Sequence, residues 1–181
     1  MRLFTAIELA ESARAAIAVE QRRIVESLGG GSRLRLVKPE QMHVTLVFIG
    51  EVADERGVAI TTQMERAIPM APFRISLGGI GAFPPRGAPR ALYVDIVDGA
   101  DAATELHALV AERLGQRDER PFRPHVTLGR WRDSRPSDRP KASHRAAIGA
   151  VDVVSVTLFQ SRLSPAGPAY TRLAAARLVC P

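Results

Sequence analysis

The sequence predicts a chain of strands and helices built as two similar halves, packed as lobes of one body. Three observations carry this. The string His-Val-Thr-Leu occurs at positions 43–46 and again at 125–128. Each copy follows the same order of signals: a strand, a helix and a Pro-containing lead. No stretch between the halves is long enough to act as a linker between independently folding units. At 181 residues the chain matches one ordinary domain. With 46% hydrophobic and 24% charged residues it has the composition of a globular protein, neither disordered nor fibrous.

The elements follow in order. Leu3 to Leu9 reads as a strand, and Glu11 to Leu28 as a helix with Ala13, Ile17, Ile24 and Leu28 at helical spacing. Gly29-Gly30-Gly31 stops it. After the lead Val37 to Met42, the β-branched run His43 to Ile49, closed by Gly50, is the clearest strand in the chain. Asp54 to Ile68 predicts a helix ending at Pro69, Phe73 to Ile80 a strand, and Phe83 to Gly87 a turn. The second half repeats the pattern: strand Ala91 to Val97, helix Asp101 to Leu114 closed by Gly115, lead Pro121 to Pro124, and strand His125 to Arg130. Trp131 to His144, rich in Arg, Pro, Ser and Asp, reads as a mobile surface loop. Val151 to Ser161 and Tyr170 to Val179 are two closing strands joined by a Ser-Pro-Ala-Gly-Pro turn.

Several function classes are excluded by composition. No apolar run approaches the ~18 residues a membrane span needs. The opening residues reach Glu8 before a signal-peptide core can form, so a cytoplasmic location and no membrane partner are expected. The one cysteine, Cys180, has no partner, which rules out a disulfide framework and a cysteine-rich metal site within one chain. A formal charge of +6 and a pI near 10.6 favour an anionic partner, with nucleic acid the leading class. All but Lys38 and Lys141 of the 25 basic residues are arginines, a skew that codon bias alone can produce, so no assignment rests on it.

The repeated string carries chemistry. Side chains alternate along a strand, so His43 and Thr45 face one way while Val44 and Leu46 face the core, and the same holds for His125 and Thr127. A pseudo-twofold axis relating the halves would bring both imidazoles and both hydroxyls to one cleft. In-line displacement at phosphorus needs a group to take a proton from the attacking oxygen and another to give one to the leaving oxygen. Two histidines, with ordinary pKa values of ~6.5, supply both. Threonine hydroxyls can donate to the non-bridging phosphate oxygens. No metal or other cofactor is required.

The sequence resembles the 2H phosphoesterases, defined by two His-x-Thr/Ser motifs, and is most similar to their bacterial RNA 2′,3′-cyclic phosphodiesterase branch, also called 2′-5′ RNA ligases. The resemblance rests on Arg2-Leu3-Phe4 with Ala6-Ile7, on the first motif ending Phe48-Ile49-Gly50, on Arg120 to Leu128 with Arg130, and on Leu158-Phe159 and Tyr170. It implies an α+β fold in two lobes, each an antiparallel sheet with helices outside and the cleft between the sheets. It also implies hydrolysis of RNA 2′,3′-cyclic phosphate ends to 2′-phosphates without metal or nucleotide, and reversible 2′-5′ joining in some members. RNA ends, including tRNA fragments, or cyclic nucleotides would be the partners, and the chain is expected to act as a monomer. By the resemblance His43 is the general acid, His125 the base, and Thr45 and Thr127 hold the phosphate. Arg130 falls in the second-motif context, yet strict alternation turns it away from His125 and Thr127 unless the strand bends at Gly129.

Other readings stand beside this one. His107 and His144 read as surface residues. Phe48 and Phe122 could stack on a base, with core packing the favoured role for Phe48, and Tyr170 could face the cleft or merely pack. The basic run Arg132, Arg135, Arg139, Lys141 and Arg145 reads first as a solvated loop and second as an RNA contact. A zinc hydrolase is the rival enzyme, opposed by the lack of a carboxylate or cysteine at ligand spacing near either motif. A non-catalytic RNA-end or nucleotide binding module is the rival from another class, opposed by the retention of both His and both Thr.

Overall fold

In the computed structural model, residues 1–28, 33–117, 121–140, 147–164 and 167–181 are described. The strands are β1 (Arg2–Glu8), β2 (Leu34–Leu36), β3 (His43–Glu51), β4 (Ile68–Pro69), β5 (Phe73–Phe83), β6 (Ala91–Asp98), β7 (His125–Trp131), β8 (Gly149–Val153), β9 (Ser155–Ser164) and β10 (Gly167–Val179). The helices are α1 (Glu11–Ser27), α2 (Asp54–Met64) and α3 (Ala100–Leu114).

The strands form one ten-stranded sheet in the order β4-β10-β9-β1-β3-β7-β6-β5-β8, with β2 added beside β7. All its ladders are antiparallel except β4 on β10. The sheet divides at its centre. β3 and β7, the two motif strands, pair only at Val44↔Val126, so the halves β10-β9-β1-β3 and β7-β6-β5-β8 are joined at one point and a cleft runs along the seam. The halves also match strand for strand: β1 against β3 corresponds to β6 against β7, down to Glu8↔His43 and Asp95↔His125.

Amphipathic spacing explains the helices. α1 buries Ala13, Ile17, Ala18, Gln21 and Ile24 on one stripe, and α3 buries Ala103, Leu106, His107, Val110 and Leu114. α3 ends at Gly115, the glycine expected to close it, whose φ of +62° gives the helix a left-handed terminus. Val44, Val126 and Leu128 are fully buried and Leu46 nearly so, which puts the motifs' apolar residues in the core as alternation requires. No helix among the described residues is long and apolar enough to cross a membrane.

Several expectations need correction. The run read as one strand from Val151 to Ser161 is broken at the exposed Val154. β8 pairs with β5 in one half-sheet and β9 with β1 in the other, so the chain crosses between halves there. α2 stops at Met64 because Ile68 and Pro69 pair with Leu178 and Val179 of β10 instead of continuing the helix. Trp131 is buried at the end of β7, not part of a loop. The segment after it is tied down, with Arg139 donating to the carbonyls of Ala82, Pro84 and Gly87 and Ser134 to that of Pro89. Lys141, His144 and Arg145 lie outside the described residues.

Candidate active site

The site begins with the two leads. Each brings the chain into its motif strand so that the carbonyl two residues before the histidine meets the ring. His43 Nδ1 lies 2.8 Å from Gln41 O, and His125 Nδ1 lies 2.7 Å from Arg123 O. A carbonyl can only accept, so Nδ1 carries the proton in both rings and Nε2 is left as the nitrogen that titrates. Backbone fixes the tautomer twice, by the same device. On the cleft side His43 Nε2 sits 3.0 Å from Thr45 Oγ1.

The pairing of Val44 with Val126 then sets the constellation. Extending that antiparallel register places His43 across from Thr127 and Thr45 across from His125. Two adjoining cavities follow from this. One, of about 440 Å³, is lined by His43 with Arg2, Gln41 and Tyr170; the other, of about 910 Å³, is lined by His125 with Phe83, Pro84 and Phe122. Thr45, Phe48, Thr127 and Arg130 line both, and so form the floor between the two histidines.

Arg130 reaches this floor because β7 bends as required. Against β6, Leu92 pairs with Gly129 but Tyr93 pairs with Thr127, which leaves Leu128 as an extra residue. Such a bulge advances the alternation by one, so Arg130 returns to the face of Thr127. Gly129 suits the spot, since a Cβ there would lie 3.1 Å from the Arg35 carbonyl oxygen of β2. β3 carries the same device: Thr5 pairs with Val47 and Ala6 with Thr45, leaving Leu46 as the extra residue. Phe48 is thereby turned out of the core, 56% exposed at the position matching Arg130, which corrects its reading as a core residue.

Aromatic rings hold each imidazole. Phe4 stacks on His43 at 4.9 Å and Tyr170 meets it edge-on at 5.5 Å, so Tyr170 faces the cleft. Around His125, Phe83 and Tyr93 lie edge-on at 5.1 and 5.5 Å. Tyr93 lies over Gly81, where any Cβ would strike the ring. Burial among these rings disfavours the charged imidazole, and it is the largest reason both histidines titrate below their ordinary value. For His43 the carbonyl of Gln41 and the charge of Glu8 oppose this and His125 adds to it; for His125 the carbonyl of Arg123 and Asp95 oppose it while Arg130 and Arg123 add to it. Burial also pushes the Tyr170 phenol up, against the pull of Arg130 and Arg2.

The structure therefore gathers His43, His125, Thr45, Thr127 and Arg130 at one cleft. His107 is not a surface residue: it is buried under β3, its Nδ1 2.9 Å from Leu46 O, with its ring flat on Phe122 at 4.0 Å. Sequence reasoning gave no role to Arg2, which lies over the Phe48 ring at 5.3 Å. It also missed the carbonyls of Gln41 and Arg123, although the two Pro-containing leads were the signal that could have found them. No group of three or more potential metal ligands occurs among the described residues.

Sheet order, duplicated motif strands and cleft together define a class, and the comparisons agree. Residues 11–162 match the 2′-5′ RNA ligase superfamily, and the chain belongs to that family. It is 34% identical, over 96% of its length and 98% of the relative's, to an RNA 2′,3′-cyclic phosphodiesterase of Archaeoglobus fulgidus. It is 35% identical to the protein of that name from Thermus thermophilus, covering 96% of this chain and 88% of that one. A crystal structure of a Thermus thermophilus protein is 32% identical and superposes with a TM-score of 0.75 over 98% of this chain and 97% of that one.

Proposed function

We propose that this protein hydrolyses RNA 2′,3′-cyclic phosphate ends to 2′-phosphates, by metal-independent acid–base catalysis between His43 and His125. The observation that carries the reading is the paired presentation of Nε2. Each ring gives its Nδ1 proton to a backbone carbonyl, and between the rings lies a floor of two threonine hydroxyls and one guanidinium. A cyclic phosphate on that floor would receive hydrogen bonds from Thr45 and Thr127 and charge from Arg130. His125 Nε2, neutral, takes the proton of an attacking water. His43 Nε2, protonated, gives its proton to the departing ribose oxygen, so the P–O bond to the 3′ oxygen breaks as the bond to water forms.

The relatives' names support the substrate class, and the resemblance of the motifs supports the assignment of acid to His43 and base to His125. The likeness of the two half-sites suits 2′-5′ joining too, in which a 5′ ribose hydroxyl replaces water on the cyclic phosphate with His125 and His43 in the same roles; cleavage of the joined bond runs those steps backwards, with the histidines exchanging roles. The test is ring opening of a 2′,3′-cyclic nucleotide in the presence of a chelator, with the product identified. Opening to the 2′-phosphate is expected. Loss of all activity on chelation would point instead to metal-activated water, and a 3′-phosphate product would reverse the orientation of the substrate.

A further inference from the structure

We infer that Gln21 and His107 are positioning residues that brace the cleft crosswise, the helix of each half holding the bulge in the other half's motif strand. A bulge leaves its extra residue outside the ladder, so a buried carbonyl there must find another donor. Leu128 O receives Val37 N at 2.8 Å and Gln21 Nε2 at 2.7 Å, and the same Nε2 lies 2.9 Å from Val37 O. Leu46 O faces His107 Nδ1 at 2.9 Å. Gln21 stands on α1, ahead of the first motif, and braces the second; His107 stands on α3, ahead of the second, and braces the first.

Both are polar residues in places that call for apolar ones. They sit on the core stripes of their helices, 5% and 8% exposed. Neither lines the cleft, so neither can touch substrate. Two different donors, an amide and an imidazole, meet equivalent carbonyls across the pseudo-twofold, so the contact arises twice on independent chemistry. Its consequence is geometric. A strand that lost its bulge would slip by one residue and turn every later side chain to the opposite face, taking Arg130 and Phe48 off the floor. His107 has a second hold on the site through Phe122, whose ring it covers and which lines the His125 cavity.

The inference rests on the reading of Arg130 as a phosphate contact, and a double-mutant cycle separates the two. Gln21→Met keeps volume and removes the donor. In the full chain it should lower kcat/KM for a 2′,3′-cyclic nucleotide about tenfold, less than the ~100-fold that a 1 Å misplacement can cause. In an Arg130→Ala background the same change should cost less than about twofold, since the guanidinium that the β7 bulge turns onto the floor is gone. Equal losses in both backgrounds would overturn the inference, because general weakening does not depend on Arg130. An Arg130→Ala enzyme with undiminished activity would instead overturn the reading beneath it. Should Gln21→Met fail to fold, the other brace decides. His107→Gln, which restores an amide donor like that of Gln21, should recover most of the kcat/KM that His107→Leu loses; a folded His107→Gln enzyme no better than His107→Leu would refute the brace.

Discussion

Replacing Arg130 with glutamine removes one positive charge from the floor of the cleft while keeping a shorter, neutral polar side chain. Arg130 lines both cavities beside Thr45 and Thr127, and no carboxylate of the described residues pairs with it. A hydrogen bond to a charged group contributes about 1.5–3 kcal/mol. Because the Arg130 side chain is exposed, solvent screening confines the expectation to the lower part of that range. A loss of about 1.5–2 kcal/mol in transition-state binding is a fall of about 10–30-fold in kcat/KM. A second effect follows from charge. Arg130 helps hold His125 below its ordinary value, so without it the imidazole binds a proton more readily. If His125 is the base, the acid limb of the kcat/KM profile moves to higher pH. Arg130→Lys should leave that limb nearly in place, because the charge stays, while still losing the forked contact. Steady-state hydrolysis of a 2′,3′-cyclic nucleotide from about pH 4 to 9 measures both. Less than a twofold loss across that range would remove Arg130 from the site, and a limb that moved to lower pH would refute the electrostatic account.

Thr45→Val and Thr127→Val preserve shape and delete one hydroxyl each, so each should weaken transition-state binding by around 1–3 kcal/mol, read as lower kcat/KM with melting temperature nearly unchanged; native rates in either variant would free that threonine from phosphate contact. In the unliganded protein both imidazoles are held below ~6.5 by burial. Because kcat/KM reports the free enzyme, its maximum should fall on the acid side of that value, whereas kcat, measured with the phosphate anion beside the rings, should peak at higher pH. A kcat/KM maximum above pH 7 would show that burial does not dominate.

What alternation and recurrence could reveal was legible before the fold was known. The duplicated motif located His43, Thr45, His125 and Thr127, and the order of signals gave β1, α1, β3, β6, α3 and β7 to within a few residues. Period-two counting fails at a bulge, which has no compositional mark when the extra residue is a leucine like its neighbours. That is why Phe48 read as core and why Arg130 needed a bend whose presence only the pairing of β6 with β7 could reveal. His107 was misread because its partner is a carbonyl 61 positions away in the chain. The break at Val154 was hidden because β-branched residues lie on both sides of it while the chain changes half-sheets.

The central claim is that His43 and His125 carry out one proton transfer each, His125 as base and His43 as acid, and the pH profiles of His43→Ala and His125→Ala test it most directly. Each variant should keep the fold and lose about 10²–10⁴-fold in kcat/KM on a 2′,3′-cyclic nucleotide. The losses should also differ in kind: without His125 the acid limb disappears, and without His43 the alkaline limb disappears. Near-native turnover in either variant, or the loss of both limbs from one substitution while the other left the profile bell-shaped, would contradict it.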